Sequence, residues 1–417
     1  MSNLRRTLVA LLLLFTMLLT PRVFGESSTG TEPYQSPVGT TLQDYIDYAL
    51  GNNPAISAAQ NNLRAQREQV SIDSYLPDPM VMSRFGSDDG FSSVGVSQKV
   101  LFPTKILTQR EAARELVKRE EAKLQHVRSE TVARVTEAYS ALYSAKRMLS
   151  VLEDNLGLLV FLEENTRVRY ITGAAPQSEL VRLQVEISRA EDAISSVELR
   201  INTYTQNLAE VLNIDDLSVI SINTEAELNS GIDDTDAQVI ESALSNNFAL
   251  QMMEKELNAA SKLVSLARQQ YIPDFEIGAE YMRDRAMGDS WSVGISMNIP
   301  VWTGRISSEI EKAEQMKNSV KKNLEQMVNS VRTETVRNIN EYRDAMRKVK
   351  LYEDVIVPQA SQVVELTQTD YQTGAASIME LIDSQRTLLE LEEDLINEFL
   401  RAKKAQAQLY NLTGVNK

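Results

Sequence analysis

Few residues in this 417-residue chain could carry out covalent chemistry. It has one histidine, His126, and no cysteine. A histidine-based triad, a thiolate nucleophile, a disulfide and a Cys/His zinc site therefore lack their parts. His126 lies among charges in a helical stretch and reads as a solvated residue. Ser, Asp and Glu are abundant, but no pair forms a hydrolase word, so neither an enzyme nor a cofactor is expected. Met80, Met82, Met282, Met287 and Met297 gather in two strand-like hairpins. Thioethers can hold soft metals, yet here they read as adaptable apolar packing, and no metal site is expected. The formal charge of −15 argues against a nucleic-acid partner, which wants a basic surface. It suits a path for cations, or simply a soluble acidic surface. The acids with suggestive placement are Glu179, Glu380 and Asp383, each a few residues after a glycine. Alone, they read as helix-start acids favoured by the helix dipole.

Those glycines sit in a word that occurs twice. Val168-Arg-Tyr-Ile-Thr-Gly-Ala-Ala-Pro-Gln-Ser-Glu-Leu180 returns as Thr369-Asp-Tyr-Gln-Thr-Gly-Ala-Ala-Ser-Ile-Met-Glu-Leu381, at an offset of 201. A helical pattern runs into each glycine and another leaves after it. Gly173 and Gly374 suit the left-handed position that ends a helix, and Pro176 suits the start of the next. Both words are tips of helical hairpins in a duplicated chain.

The elements that present the tips follow in order. Residues 1–25 read as a secretory signal, with Arg5 and Arg6 before the apolar run Thr7 to Thr20 and cleavage after Gly25. Residues 26–40 form a flexible leader. No later stretch has the length and apolarity of a spanning helix, so a membrane crossing would need strands. The first repeat spans 41–212 and the second 237–414, with a link at 213–236 and a tail at 415–417. In the first repeat a helix restarts at Asn53-Pro54 and stops at Leu76-Pro-Asp-Pro79. Strand-like runs at Met80–Phe85 and Phe91–Leu101 flank the turn Gly86-Ser-Asp-Asp-Gly90. About 70 residues of helical pattern then run from Pro103 to the tip, roughly 100 Å of helix. Such a helix belongs in a coiled coil or helical barrel. Ala49-Leu-Gly-Asn-Asn53 returns as Ala243-Leu-Ser-Asn-Asn247, Tyr75-Leu-Pro-Asp78 as Tyr271-Ile-Pro-Asp274, and Val94-Gly-Val-Ser97 as Val293-Gly-Ile-Ser296. Gly157 and Pro358 face each other at the tip offset, which predicts kinks at matching heights.

The strand runs alternate. Trp291, Val293, Ile295, Met297 and Ile299 interleave with Ser292, Gly294, Ser296 and Asn298. Phe275, Ile277, Ala279 and Tyr281 interleave with Glu276, Gly278, Glu280 and Met282. Side chains on a strand alternate between faces, so one face is apolar and the other polar, as in a barrel with lipid outside and water inside. Glu276, Glu280, Ser292 and Ser296 would face the lumen. Four strands cannot close a barrel, so several chains must contribute.

The order of these words, from Asn-Asn-Pro through Leu-Pro-Asp-Pro and the strand hairpin to Tyr371-x-x-Gly374, Glu380-Leu-Ile-Asp-Ser-Gln-Arg386 and Leu409-Tyr-Asn-Leu-Thr-Gly414, resembles the TolC-like outer membrane efflux proteins. The resemblance covers about residues 41–414, and Leu76-Pro-Asp-Pro79 is similar to the heavy-metal cation efflux branch. It implies a mainly α fold with a small β part. Duplicated helical hairpins would form a periplasmic α-barrel, and two β-hairpins per chain would build a trimeric 12-strand β-barrel in the outer membrane. It implies a passive exit duct that works with a periplasmic adaptor (membrane fusion) protein and an inner-membrane pump of the RND type. By position, Glu380, Asp383 and Glu179 would narrow the periplasmic entrance, where ringed carboxylates favour cations. Tyr170, Gly173, Leu180, Tyr371, Gly374 and Leu381 would form the adaptor-docking tips. Ala376 stands where one member of the family has a basic residue. A channel for type I protein secretion shares this plan. A soluble periplasmic coiled-coil adaptor is the alternative of another class.

Overall fold

The computed structural model describes residues 41–85, 92–222, 235–284 and 288–414. The signal, the leader, the Gly86–Gly90 turn, Met287, residues 223–234 of the link and the tail lie outside the described residues. Each repeat begins with a helix pair: α1 (Leu42–Asn52) and α2 (Pro54–Ile72) in the first, α5 (Asp236–Asn246) and α6 (Phe248–Arg268) in the second. Strands β1 (Met80–Phe85) and β2 (Ser92–Val100) follow in the first, β3 (Phe275–Asp284) and β4 (Gly288–Met297) in the second. The long helix is α3 (Pro103–Ile171) in the first repeat. In the second it is α7 (Thr303–Leu351), a π-helical turn (Tyr352–Ile356) and α8 (Val357–Thr373). The return helices are α4 (Gln177–Leu212) and α9 (Ile378–Thr413).

Buried asparagines pin each repeat at matching places. Asn53 caps α2 by accepting from Ala55 N at 2.8 Å, and its amide donates to Val211 O at 2.8 Å. Asn247 caps α6 by accepting from Leu250 N at 3.1 Å and donates to Leu412 O at 3.0 Å. One side chain thus starts the second helix and clasps the end of the return helix. Both return helices end in the left-handed region, at Asn213 (φ 58) and Gly414 (φ 67). Asparagine tolerates that region. At Gly414 a Cβ would lie 2.8 Å from Asn246 O, so glycine is required there.

The strands form one antiparallel sheet in the order β1-β2-β3-β4. β4 ends two residues before Ile299. Asn298 leaves the ladder to bracket Asp274, donating from its N–H to Asp274 O and accepting Asp274 N–H at Oδ1. The register sets Val81, Val96, Ala279 and Val293 in one row and Met82, Gly95, Glu280 and Ser292 in the next, on opposite faces. Arg84 and Glu280 share the polar face, 3.8 Å apart.

The start of the link carries structure of its own. Ile214, Ile220 and Ile222 are buried with Tyr45, Tyr139 and Leu208, around a short 3₁₀ turn at Leu217–Val219. Tyr45 Oη donates to Ser221 O and accepts from Ser221 N. Three isoleucines in irregular backbone have no period to reveal them. The long helices differ at the heights where paired kinks are expected: α3 keeps its helical ladder through Gly157, where a Cβ would meet nothing. In the second repeat the ladder widens to the π-helical turn just before Pro358, which lacks an N–H.

Replacing Asn247 with Ala removes a cap and strands Leu412 O. It should lower unfolding stability by about 1–3 kcal/mol, read by chemical denaturation in detergent. Burial pushes the Lys403 ammonium down to about 8, although its Nζ donates to Gln406 Oε1 and lies over the Phe399 ring. The unfolded chain keeps that proton to about pH 10.4. The unfolded state therefore binds more protons between those values, and stability should rise with pH from about 8 to about 10.4. Lys403→Met should flatten that rise.

Candidate functional site

The two tips are built alike. Gly173 (φ 75) and Gly374 (φ 80) both turn left-handed. Their N–H groups donate to Tyr170 O and Tyr371 O, at 3.0 and 3.2 Å. Ala174 N and Ala175 N both donate to Arg169 O, and Ala375 N and Ala376 N both donate to Asp370 O. These bonds satisfy carbonyls that each helix end would leave open.

The helices leaving the tips begin differently, and this separates two equivalent acids. Ser377 caps α9: its hydroxyl accepts Glu380 N, while its own N–H and hydroxyl donate to the Glu380 carboxylate at 2.8 and 3.1 Å. The Ser377 N–H foremost, then its hydroxyl, hold the Glu380 carboxyl below its usual range. Glu380 is thus committed to its own helix start. In the first repeat Pro176 is the cap and offers no hydroxyl. Glu179 is free of that duty and accepts from Tyr371 Oη at 3.3 Å, across to the other tip. Tyr371 Oη also bonds Thr166 Oγ1 at 2.9 Å, and Thr166 is fully buried. Arg169 lies over the Tyr371 ring at 4.7 Å and donates to Tyr371 O at 3.2 Å. One tyrosine ties both tips together.

Below this knot lies an apolar cluster of Leu159, Leu162, Leu183, Ile378, Leu381 and Ile382. Tyr371 and Leu381 are interior to it. As docking residues they are corrected: their side chains hold the tips together and present no outer surface. Tyr170 is exposed, Leu180 half-buried, and Gly173 and Gly374 lie on the exposed turns. Ile171, Val168 and Met379, which the sequence reading passed over, are exposed large apolar residues at the tips. Asp383 is exposed, 3.9 Å from Arg386. Arg386 forks onto Glu186 of α4 with Nε and Nη2. Glu179, Glu380 and Asp383 therefore share one end of the helices, while Glu276, Glu280, Ser292 and Ser296 share the polar face of the sheet.

A duplicated chain with a small amphipathic sheet and long helices ending in paired tips is an architecture that this protein shares with solved outer-membrane channels. Residues 239–415 match the family described as Outer membrane efflux protein. Over 300 residues the chain is 20% identical to the outer membrane efflux protein BepC of Brucella suis biovar 1, covering 67% of this chain and 65% of that protein. Over 280 residues it is 19% identical to the outer membrane protein TolC of Vibrio cholerae, covering 64% and 63%. The chain thus spans just under two thirds of the length of these relatives. Its fold is similar to the outer-membrane channel OprN, with TM-score 0.78, 17% identity and coverage of 92% and 93%. It is also similar to VceC of Vibrio cholerae, with TM-score 0.77, 17% identity and coverage of 89% and 96%. The family match therefore falls on the second repeat, and the likeness to the solved channels extends the shared fold over nearly the whole chain.

Tyr371→Phe deletes the hydroxyl that joins Thr166 and Glu179. At about 1 kcal/mol for the lost bonds, amide exchange at Gly173 and Gly374 should quicken about fivefold. Hydrogen-exchange mass spectrometry of the tip peptides reads this directly.

Proposed function

We propose that this protein is the outer-membrane exit duct of a tripartite efflux system, a passive channel for small molecules or cations. The observation that carries the reading is the sheet. One face is apolar and open, with Trp291 75% exposed and Val293, Ile295 and Met297 beside it. The other bears Glu276, Glu280, Ser292, Ser296 and glycines. An uncovered apolar face of this size needs an apolar surrounding, and a polar reverse face suits a water-filled bore.

The rest follows from that assignment. Copies of the chain, three by family resemblance, close the barrel in outer-membrane lipid. Their helices extend it into the periplasm, reached through a cleaved signal. The tips meet a periplasmic adaptor, and an inner-membrane pump of the RND type supplies the energy. Glu380, Asp383 and Glu179, repeated around an axis, line the entrance. Their charge attracts cations and repels anions.

The test is conductance of the purified protein in a planar bilayer. A cation-selective pore is expected. In Glu380→Gln with Asp383→Asn, the cation-to-anion permeability ratio should fall about twofold or more. Glutamine still completes a capping box, so the helix start survives the change. A selective pore indifferent to the variant would remove these acids from the entrance. A protein that stays soluble without detergent and forms no pore would sink the duct.

A further inference from the structure

The two β-hairpins are copies in register as well as in sequence. Met80 lies opposite Ser97, and their counterparts Glu276 and Ser296 also lie opposite each other. The helices that follow begin alike. Each starts after an aromatic residue, Phe102 or Trp302. Lys105 N donates to Phe102 O at 2.9 Å, and Arg305 N donates to Trp302 O at 3.1 Å. Lys105 and Arg305 therefore occupy the same place in the two repeats, as do Asp78 and Asp274.

Within the sheet, one joint connects repeat to repeat. β2 pairs with β3, setting Ser97 opposite Gly278 and Gly95 opposite Glu280. At its foot, Lys105 Nζ donates to Asp274 Oδ1 at 2.8 Å and to Ile272 O at 2.7 Å. Phe102 N donates to the same carboxylate oxygen. The two charged side chains are 4% and 9% exposed. An ion pair so dry holds only with good geometry and further hydrogen bonds, and both are present. A Cβ on Gly95 would meet Ala279 O at 3.2 Å and Glu280 side-chain carbons at 3.4 Å. The neighbouring strand fits closely against that glycine.

Each part of this joint has a counterpart that stands open. β4 and β1 are the sheet edges. Asp78 is exposed and makes no ion pair among the described residues. Arg305 is 65% exposed and reaches Glu309 on its own helix. A Cβ on Gly294, the counterpart of Gly95, would meet nothing within 4 Å.

We propose that a second copy of this chain completes the open joint: β4 pairs antiparallel with the partner's β1, Ser296 opposite the partner's Met82, and Arg305 closes on the partner's Asp78 in a buried ion pair. The proposal rests on the oligomeric duct and specifies its seam. The register follows from transposing Ser97–Gly278 onto the other repeat. It also keeps faces matched, because Ser296 and Met82 both lie on the polar face. A slip of one residue would turn the whole strand over. The register further sets the barrel's slope. The row from Met82 through Gly95 reaches Glu280, two residues beyond Gly278, the counterpart of Met82. Two residues of stagger over two strands, at 3.3 Å rise and 4.8 Å spacing, tilt the strands by about 35°. That lies in the range membrane barrels adopt.

The chain has no cysteine, so introduced pairs report alone. In the full protein, Ser296→Cys is combined in turn with Met80→Cys, Met82→Cys and Arg84→Cys and oxidised in detergent. The Met82 pair should give covalent dimers and higher ladders, at least about fivefold above its neighbours. Separately, Arg305→Asp should reduce assembled oligomer by about tenfold, and adding Asp78→Arg should restore it. Oligomers that cross-link better at Met80 or Arg84 would overturn the register. Oligomers unaffected by Arg305→Asp would overturn the ion pair. Both results would leave the duct standing. A wild-type protein that stays monomeric in detergent and in bilayers would overturn seam and duct together.

Discussion

A backbone N–H or C=O exposed to hydrocarbon costs several kcal/mol, so a sheet in lipid must have no free edge. The described residues make four strands in one sheet, which has two edges. The duplication supplies two hairpins of one register, so the joint made once inside the chain is the pattern for the proposed seam between copies. The apolar outer face, with Tyr281 and Trp291 rings 5.0 Å apart, is out of place in water and in place in a bilayer interface. The long helices extend from this sheet and carry the tips far from it.

Duplication also lets one residue type take two duties. Glu179 and Glu380 are equivalent by descent, yet Ser377 claims Glu380 for a helix cap while Pro176 leaves Glu179 available. The free carboxylate meets Tyr371, whose own counterpart Tyr170 is exposed. The first tip thus supplies the acceptor and the second the donor. A tie between tips arises from two words that share seven of thirteen residues, and the differing capping residue, Pro176 or Ser377, is what frees the carboxylate for it.

Much of this architecture is legible in the sequence, for physical reasons. Period 2 in Trp291 to Met297 and the long helical pattern after Pro103 are local regularities of strand and helix. The glycine tips declare themselves because left-handed backbone strongly selects that residue. What stays hidden is non-local or aperiodic. The hydrogen bond between Glu179 and Tyr371 joins residues 192 apart. Lys105 reads as an ordinary helix-start lysine, and only the fold brings Asp274 beneath it. Ile214, Ile220 and Ile222 lie in irregular chain, and Leu381 reads as a surface tip residue until the opposite tip covers it.

The π-helical turn at Tyr352–Ile356 has a consequence for the phase of the second repeat. The long helices begin 200 residues apart, and their buried positions keep that spacing: Tyr139 with Ile339, Leu142 with Tyr342, Ala145 with Ala345. Beyond the turn the spacing is 201, as Glu163 with Val364 and Gly173 with Gly374 show. One residue has been gained in between. In an uninterrupted α-helix it would rotate everything downstream by about 100°, swinging Tyr371 away from Thr166. The wider turn absorbs the extra residue locally. The second tip therefore arrives facing its twin, with its inherited side correctly aimed.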